Sequence, residues 1–167
     1  DSGLLDIRGL VEADLTPAAT PGTVRPLPVM EDYLKHLLSY VDTGALKPYR
    51  VVVNAGNGGA GMVVDALESH LPFEFIKLLN EPDGHFPNGV PNPLLPENRQ
   101  LTQQAIQEQR ADFGVAWDSA FDRCFLFDEK GRFIEGYYIV GLLAEQLLQK
   151  EPGGRVIHDP RLTWNTV

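Results

Sequence analysis

The chain has 167 residues, and 14 lysines and arginines stand against 23 aspartates and glutamates, a net charge of −9 that opposes binding to phosphate backbones or anionic membrane surfaces. Hydrophobic residues make up 43%, enough for a core and too many for a disordered tail, and no apolar run approaches the roughly 20 residues of a membrane span. The single cysteine, Cys124, excludes an internal disulfide and a multi-cysteine zinc site; with an N-terminus, DSGLLDIRGL, that lacks the basic and apolar regions of a signal peptide, it fits a cytoplasmic protein.

In chain order, the first thirty or so residues read as a connector, because Pro17, Pro21, Pro26 and Pro28 repeatedly break regular structure. MEDYLKHLLSYVD then has helical spacing, with Tyr33, Leu34, Leu37, Leu38 and Val41 on one face and Gly44 as its stop. Residues 1–48 are therefore read as connector and linker helix from a preceding domain, and 49–167 as a domain. Val51 to Val53 is a short apolar run read as a strand buried on both faces, ending in the glycine-rich NAGNGGAG. Ala60 to Ser69 is read as helix and Phe73 to Leu79 as a second strand. From Glu81 to Asn98 runs a loop with five prolines, and ordered loops of that length seldom lack a use.

Glu97 to Arg110 is read as helix and Ala111 to Trp117 as a third strand, followed by the polar loop Asp118 to Arg123. Cys124 to Phe127 turns through Asp128–Gly131 into Arg132 to Ile134. Tyr137 to Lys150 is a helix with Ile139, Leu142, Leu143 and Leu147 on one side, and Arg155 to His158 is a last strand. Strands alternating with helices give an α/β fold: a three-layer sandwich with a mainly parallel, mixed sheet flanked by helices.

Three segments carry chemistry. NAGNGGAG holds a strand, a turn and a helix start, an arrangement that can bind phosphate through backbone N–H groups, but it has no P-loop lysine; the competing reading is a tight turn that needs small residues. In the proline-rich loop His85 is a candidate ligand or acid–base group for which the sequence identifies no positioned partner, so a structural role competes with it. The third segment is WDSAFDRCFLFDEKG. Asp118, Asp122 and Arg123 cluster at a strand's C-terminal end, where open α/β sheets place their sites. Paired carboxylates suit Mg²⁺, and an arginine can grip a phosphate oxygen. A solvated acidic turn with an Asp–Arg pair is the alternative. An Asp-x-Asp phosphatase nucleophile is excluded, because Ala120 stands two residues after Asp118. Cys124 is expected to be a buried, inert thiol.

These segments together resemble the α-D-phosphohexomutase family, most closely its bacterial phosphomannomutases. NAGNGGAG resembles the family's strand-turn-helix motif, PDGHFPNGVPNPLLPE its proline-rich loop, and FDRCFLFDEKGRFIEGYYIVGLLAE the end of its metal loop and the following helix. IHDPRLTWNT resembles the close of the same region. The resemblance runs from Arg50 to Thr166 and implies the second, metal-loop domain of a four-domain enzyme, hence a fragment expected to be inactive alone. The parent would interconvert mannose 6-phosphate and mannose 1-phosphate through a phosphoserine and a bisphosphate; a glucose or glucosamine phosphate mutase is the enzyme alternative. A hexose phosphate is the implied partner, with no nucleic acid or membrane, and the oligomeric state stays open. In the family a D-G-D-x-D-R loop holds Mg²⁺. The resemblance makes Asp118 and Asp122 metal ligands and gives Arg123 the catalytic role of orienting the phosphoserine or a nearby carboxylate. Here the loop reads D-S-A-F-D-R, so Ser119 replaces the glycine and Ala120 the middle aspartate. The expectation is weakened Mg²⁺ binding, with a strain cost of around 1 kcal/mol if Ser119 has positive φ. A non-catalytic interaction domain with a degenerate loop is the further alternative.

Overall fold

The computed structural model describes residues 2–13 and 18–157. The chain falls into two compact units, divided between Glu31 and Asp32.

Within the stretch read as a connector, the first unit forms helix α1 (Ser2–Glu12). No proline precedes residue 17, and Leu4, Ile7 and Val11 recur at helical spacing. An Arg8–Glu12 pair at 2.7 Å adds i,i+4 support. Its apolar side chains, including Leu4, Leu5 and Val11, stay well exposed. Pro21, Pro26 and Pro28 lie in irregular chain, and Pro17 lies outside the described residues.

Helix α2 (Met30–Leu38) ends short of Val41, and Asp42 caps the 3₁₀ turn that follows by accepting the Gly44 N–H at 3.0 Å. The second unit then builds one sheet. Its elements are β1 (Arg50–Asn54), α3 (Ala60–Glu68), β2 (Glu74–Leu78), α4 (Gln100–Gln109), β3 (Phe113–Trp117), β4 (Cys124–Phe127), β5 (Phe133–Ile134) and α5 (Gly136–Lys150). The strand order is β2-β1-β3-β4-β5. β1 runs parallel to β2 and β3, whereas β4 is antiparallel to both β3 and β5. Only β4 runs against the rest, so the sheet is mixed.

Alternation along β1 places successive valines on opposite faces. Val51 and Val53 pack with Val64 of α3, against Phe73 and Phe75. Val52 packs with Ala105 and Ile106 of α4, Ala116 and Phe127. α3 and α4 therefore cover opposite faces of the sheet, the three layers expected from the sequence. Fully burying Ile106 or Phe127 contributes about 1.5–3 kcal/mol each. Gly114 lets α4 lie close: a Cβ there would sit 2.5 Å from Ile106 Cδ1.

Two expectations are corrected, and the last helix is found with its apolar side uncovered. The helix read over Glu97–Arg110 is a 3₁₀ turn (Pro96–Asn98) followed by α4, closed by Arg110 in the left-handed conformation with φ of 51°. α5 has the expected periodicity, yet it buries no residue, and Leu142, Leu143 and Leu147 are exposed. Arg155 to Ile157 forms no strand, having no strand partner among the described residues, and His158 lies outside them. No described helix is long and apolar enough to cross a membrane.

Candidate functional site at the strand C-termini

β1, β2 and β3 are parallel neighbours, so their C-terminal ends lie side by side and three loops leave from one edge. Asn54, the last residue of β1, organises the first. Its buried side chain donates to Thr102 Oγ1 at 2.9 Å and accepts the Gly56 N–H at 2.9 Å. That Asx-type bond starts a turn through Gly56 and Asn57, with φ of 59° and 60°.

The turn's backbone N–H groups are already used. Asn57 N–H donates to Leu79 O, Gly58 N–H to Ala55 O, and Gly59 N–H to Ser119 O. The Phe121 ring covers Gly59. These groups do not point at a phosphate, and the tight-turn reading is the one observed. The glycines are a seat for the neighbouring loop. A Cβ on Gly58 would lie 2.7 Å from Ser119 O, and one on Gly61 would lie 1.8 Å from Asn80 O.

The proline-rich loop docks on the same turn. Asn57 donates its side-chain N–H to Glu81 O and accepts from Asn88, and the Asp83 N–H bonds Asn57 O. Pro91 fills the space beside Gly56. At the loop's far end Arg99 donates to Pro93 O at 2.8 Å and to Leu94 O at 2.7 Å, and its guanidinium lies 3.6 Å from the Phe133 ring centroid. A cavity of about 260 Å³, lined partly by Asn54, Asn88, Asn92, Glu97 and Trp117, lies under this loop. His85 stands apart: its ring is almost fully exposed and pairs only with Asp83, two residues away, at 3.0 Å. Sequence reasoning missed Asn57 and Arg99. An Asn before glycine is a readable turn signal, whereas nothing local marks Arg99.

In the loop after β3, Asp118 is 4% exposed. Its Oδ2 accepts from Arg123 Nε at 2.9 Å and Nη2 at 2.7 Å, and its Oδ1 accepts the Arg123 N–H at 3.3 Å. Burial pushes the Asp118 carboxyl up, but Arg123, through its side chain, its backbone N–H and its charge, more than offsets this and holds it below the usual carboxylate range. Asp122, Arg123 and Ala120 are exposed. Ser119 does not take positive φ; the left-handed residue is Phe121, at 46°. The strain expected at Ser119 is therefore absent. Cys124 is exposed rather than buried, because it is the first residue of β4, at the rim opposite Trp117.

The three residues singled out by sequence, Asp118, Asp122 and Arg123, thus stand together. As a Mg²⁺ site they fit poorly. Ala120 supplies no oxygen and Asp118 has both oxygens engaged, which leaves Asp122 as the accessible carboxylate of the loop. Among the described residues no three His, Cys, Asp or Glu side chains form a group able to hold a metal ion.

The family model for phosphoglucomutase/phosphomannomutase, alpha/beta/alpha domain II, matches residues 31–131. The protein named phosphohexose mutases from Xanthomonas campestris pv. campestris is 62% identical over 168 residues, covering 100% of this chain and 38% of that protein. A phosphomannomutase from Escherichia coli is 55% identical over 176 residues, covering 100% of this chain and 39% of its own length. The crystal structure of a phosphoglucomutase/phosphomannomutase family protein from Burkholderia thailandensis matches with a TM-score of 0.69 at 32% identity, over 75% of this chain and 27% of that one. This chain therefore spans about two-fifths of the length of the curated relatives it matches. It belongs to the phosphoglucomutase/phosphomannomutase family, and what it carries is that family's α/β/α domain II.

Proposed function

We propose that this chain is the metal-loop domain of a cytoplasmic phosphohexomutase that interconverts mannose 6-phosphate and mannose 1-phosphate. The observation that carries the reading is identity above half, along the whole chain, to proteins named phosphomannomutase or phosphohexose mutases. The division at residue 49, with connector before and domain after, belongs to the same reading. The parent's chemistry passes a phosphoryl group from a serine to the sugar phosphate and takes the other phosphate back from a bisphosphate.

Within that reaction this chain's residues position and neutralise. Asp118 fixes the Arg123 guanidinium from below at two nitrogens, so the planar fork holds one direction at the strand end. Arg123 is half-exposed, which leaves the guanidinium within reach of a phosphate oxygen. Asp118 and Asp122 occupy the positions of metal ligands in the family. The loop lacks the middle carboxylate, so Mg²⁺ binds weakly and no step is assigned to it.

A coupled assay with mannose 1-phosphate and a hexose bisphosphate tests the reading. The chain alone is expected to give no turnover above a buffer blank, because the serine, sugar and phosphate loops belong to other domains. The full-length parent is expected to turn over mannose 1-phosphate faster than glucose 1-phosphate. Turnover by the chain alone, or a parent selective for glucose, would overturn the respective part. A second reading is favoured by Ala120 and the closed Asp118–Arg123 pair: an interaction domain that has kept the fold and lost the chemistry. A full-length parent inert with every hexose phosphate would favour it.

A further inference from the structure

The two ends of loop 118–123 are tied to each other. The Asp118 N–H donates to Arg123 O at 3.4 Å, and the Arg123 N–H returns to Asp118 Oδ1 at 3.3 Å. Phe121 N–H donates to Asp118 O at 3.0 Å, which closes the turn at the crown. Around this frame Arg123 Nε and Nη2 both lie on Asp118 Oδ2, whose side chain is 6% exposed. A cation approaching Asp118 meets a buried carboxylate whose two oxygens already accept Arg123 N–H groups, with a fixed positive charge beside it. The formal charges of Asp118, Asp122 and Arg123 leave the loop at −1, where an aspartate in place of Ala120 would make it −2.

We propose that Arg123 is this loop's resident counter-cation: it latches onto Asp118 and withdraws that carboxylate from metal ions, so the strand-end site is set up without one. This rests on reading 118–123 as the family's metal loop, and adds that Arg123, beyond the loss at Ala120, disfavours the ion. The latch keeps a buried carboxylate paired in a chain whose loop has lost an oxygen ligand, which is what a buried charge requires. It also holds the guanidinium at one angle, so the positioning described above needs no bound cation.

The test has two readouts, neither of which is catalysis. One is the ¹⁵N side-chain resonance of Arg123 Nε, assigned by its loss in Arg123→Lys. In the unmodified chain it is expected to exchange slowly with solvent and to stay in place when millimolar Mg²⁺ is added. The other is Mn²⁺ binding, followed by loss of the free-ion electron paramagnetic resonance signal. Four proteins are compared: the unmodified chain, Arg123→Gln, Arg123→Lys and the double substitution Ser119→Gly with Ala120→Asp. Removing a positive charge next to the ion is expected to tighten Mn²⁺ binding by Arg123→Gln by about tenfold or more over the unmodified chain. Arg123→Lys, which keeps the charge and loses the two-nitrogen grip, is expected to fall between. If Arg123→Gln does not fold, Arg123→Lys and the resonance still decide the matter. A resonance that moves with Mg²⁺, or equal binding by the unmodified chain and the Arg123 variants, overturns the latch. Binding by the double substitution but by neither Arg123 variant also overturns the latch and leaves the metal-loop reading intact. Tight binding by Arg123→Gln and none by the double substitution supports the latch and removes Ala120 as the lost ligand position. Binding by none of the variants overturns both.

Discussion

The glycine-rich turn after β1 and the aspartate loop after β3 touch each other, yet they depend on different things. The turn is defined by backbone geometry. Its N–H groups are taken up by backbone oxygens of the turn itself, of the end of β2 and of the aspartate loop, and Gly58, Gly59 and Gly61 exist because neighbouring segments occupy the space where a Cβ would go. The aspartate loop is defined by side-chain chemistry, and two of its six positions differ from the D-G-D-x-D-R pattern that it resembles while the frame stays closed. Packing penalties fall directly on the fold, whereas a lost ligand leaves a stable loop with less function. The turn should therefore be intolerant of small changes, and the loop tolerant of them away from the buried Asp118–Arg123 pair.

The largest expected effect is Gly61→Ala. One added methyl group would lie 1.8 Å from the backbone oxygen of Asn80, and backbone cannot rotate away as a side chain can. The expected cost is about 3 kcal/mol, at the upper end for overpacking, read as a lower urea midpoint at unchanged slope. A midpoint within error of the unmodified chain would break the claim that α3 needs this close approach.

Next in size is Asp118→Asn. It removes a charged acceptor of three N–H groups from a site with 4% exposure, but Arg123 is half in water, so solvent screens part of the pair. About 2 kcal/mol is expected at neutral pH. The sign of the pH dependence follows from Asp118 having its folded pKa below the ordinary value of 3.8. The folded state favours the ionised form, so the stabilisation is fully present above about pH 5 and is lost as pH falls through the folded pKa. Urea unfolding at pH 6 and pH 3 should show the gap between the two proteins shrinking at the lower value. A gap that widens in acid would mean Asp118 is held protonated.

The same contrast explains what was legible in the sequence. Val51 to Val53 could be read as a two-faced strand because a run of three valines has no exposed side to hide. The cluster Asp118, Asp122 and Arg123 was legible because its members are close in sequence as well as in space. Arg99 was not: its partners are loop carbonyls and a ring on β5, which only the fold assembles. Cys124 was misread because apolar neighbours imply burial only inside a strand, and it starts one. α5 shows the limit of periodicity, which identifies an apolar face without saying whether anything covers it.

The smallest expected effect separates the two regions most sharply. Ser119→Gly restores the residue type of the family pattern and, on sequence grounds, should relieve strain. The structure removes that reason, because Ser119 has no positive φ and the left-handed residue is Phe121. Glycine then gains nothing in the folded state and adds freedom to the unfolded one. The expected result is a small loss, about 0.5 kcal/mol. Phe121→Gly is the informative partner. It would relieve a left-handed conformation worth about 1 kcal/mol, but it would remove the ring that packs on Gly59. Because these terms oppose, its net change should also be small, but its loop should hold Gly59 less firmly, seen as faster amide exchange at the bond to Ser119 O. A clear gain in stability from Ser119→Gly would place the strain at Ser119 after all, and the aspartate loop would then be limited by backbone geometry, as the glycine-rich turn is.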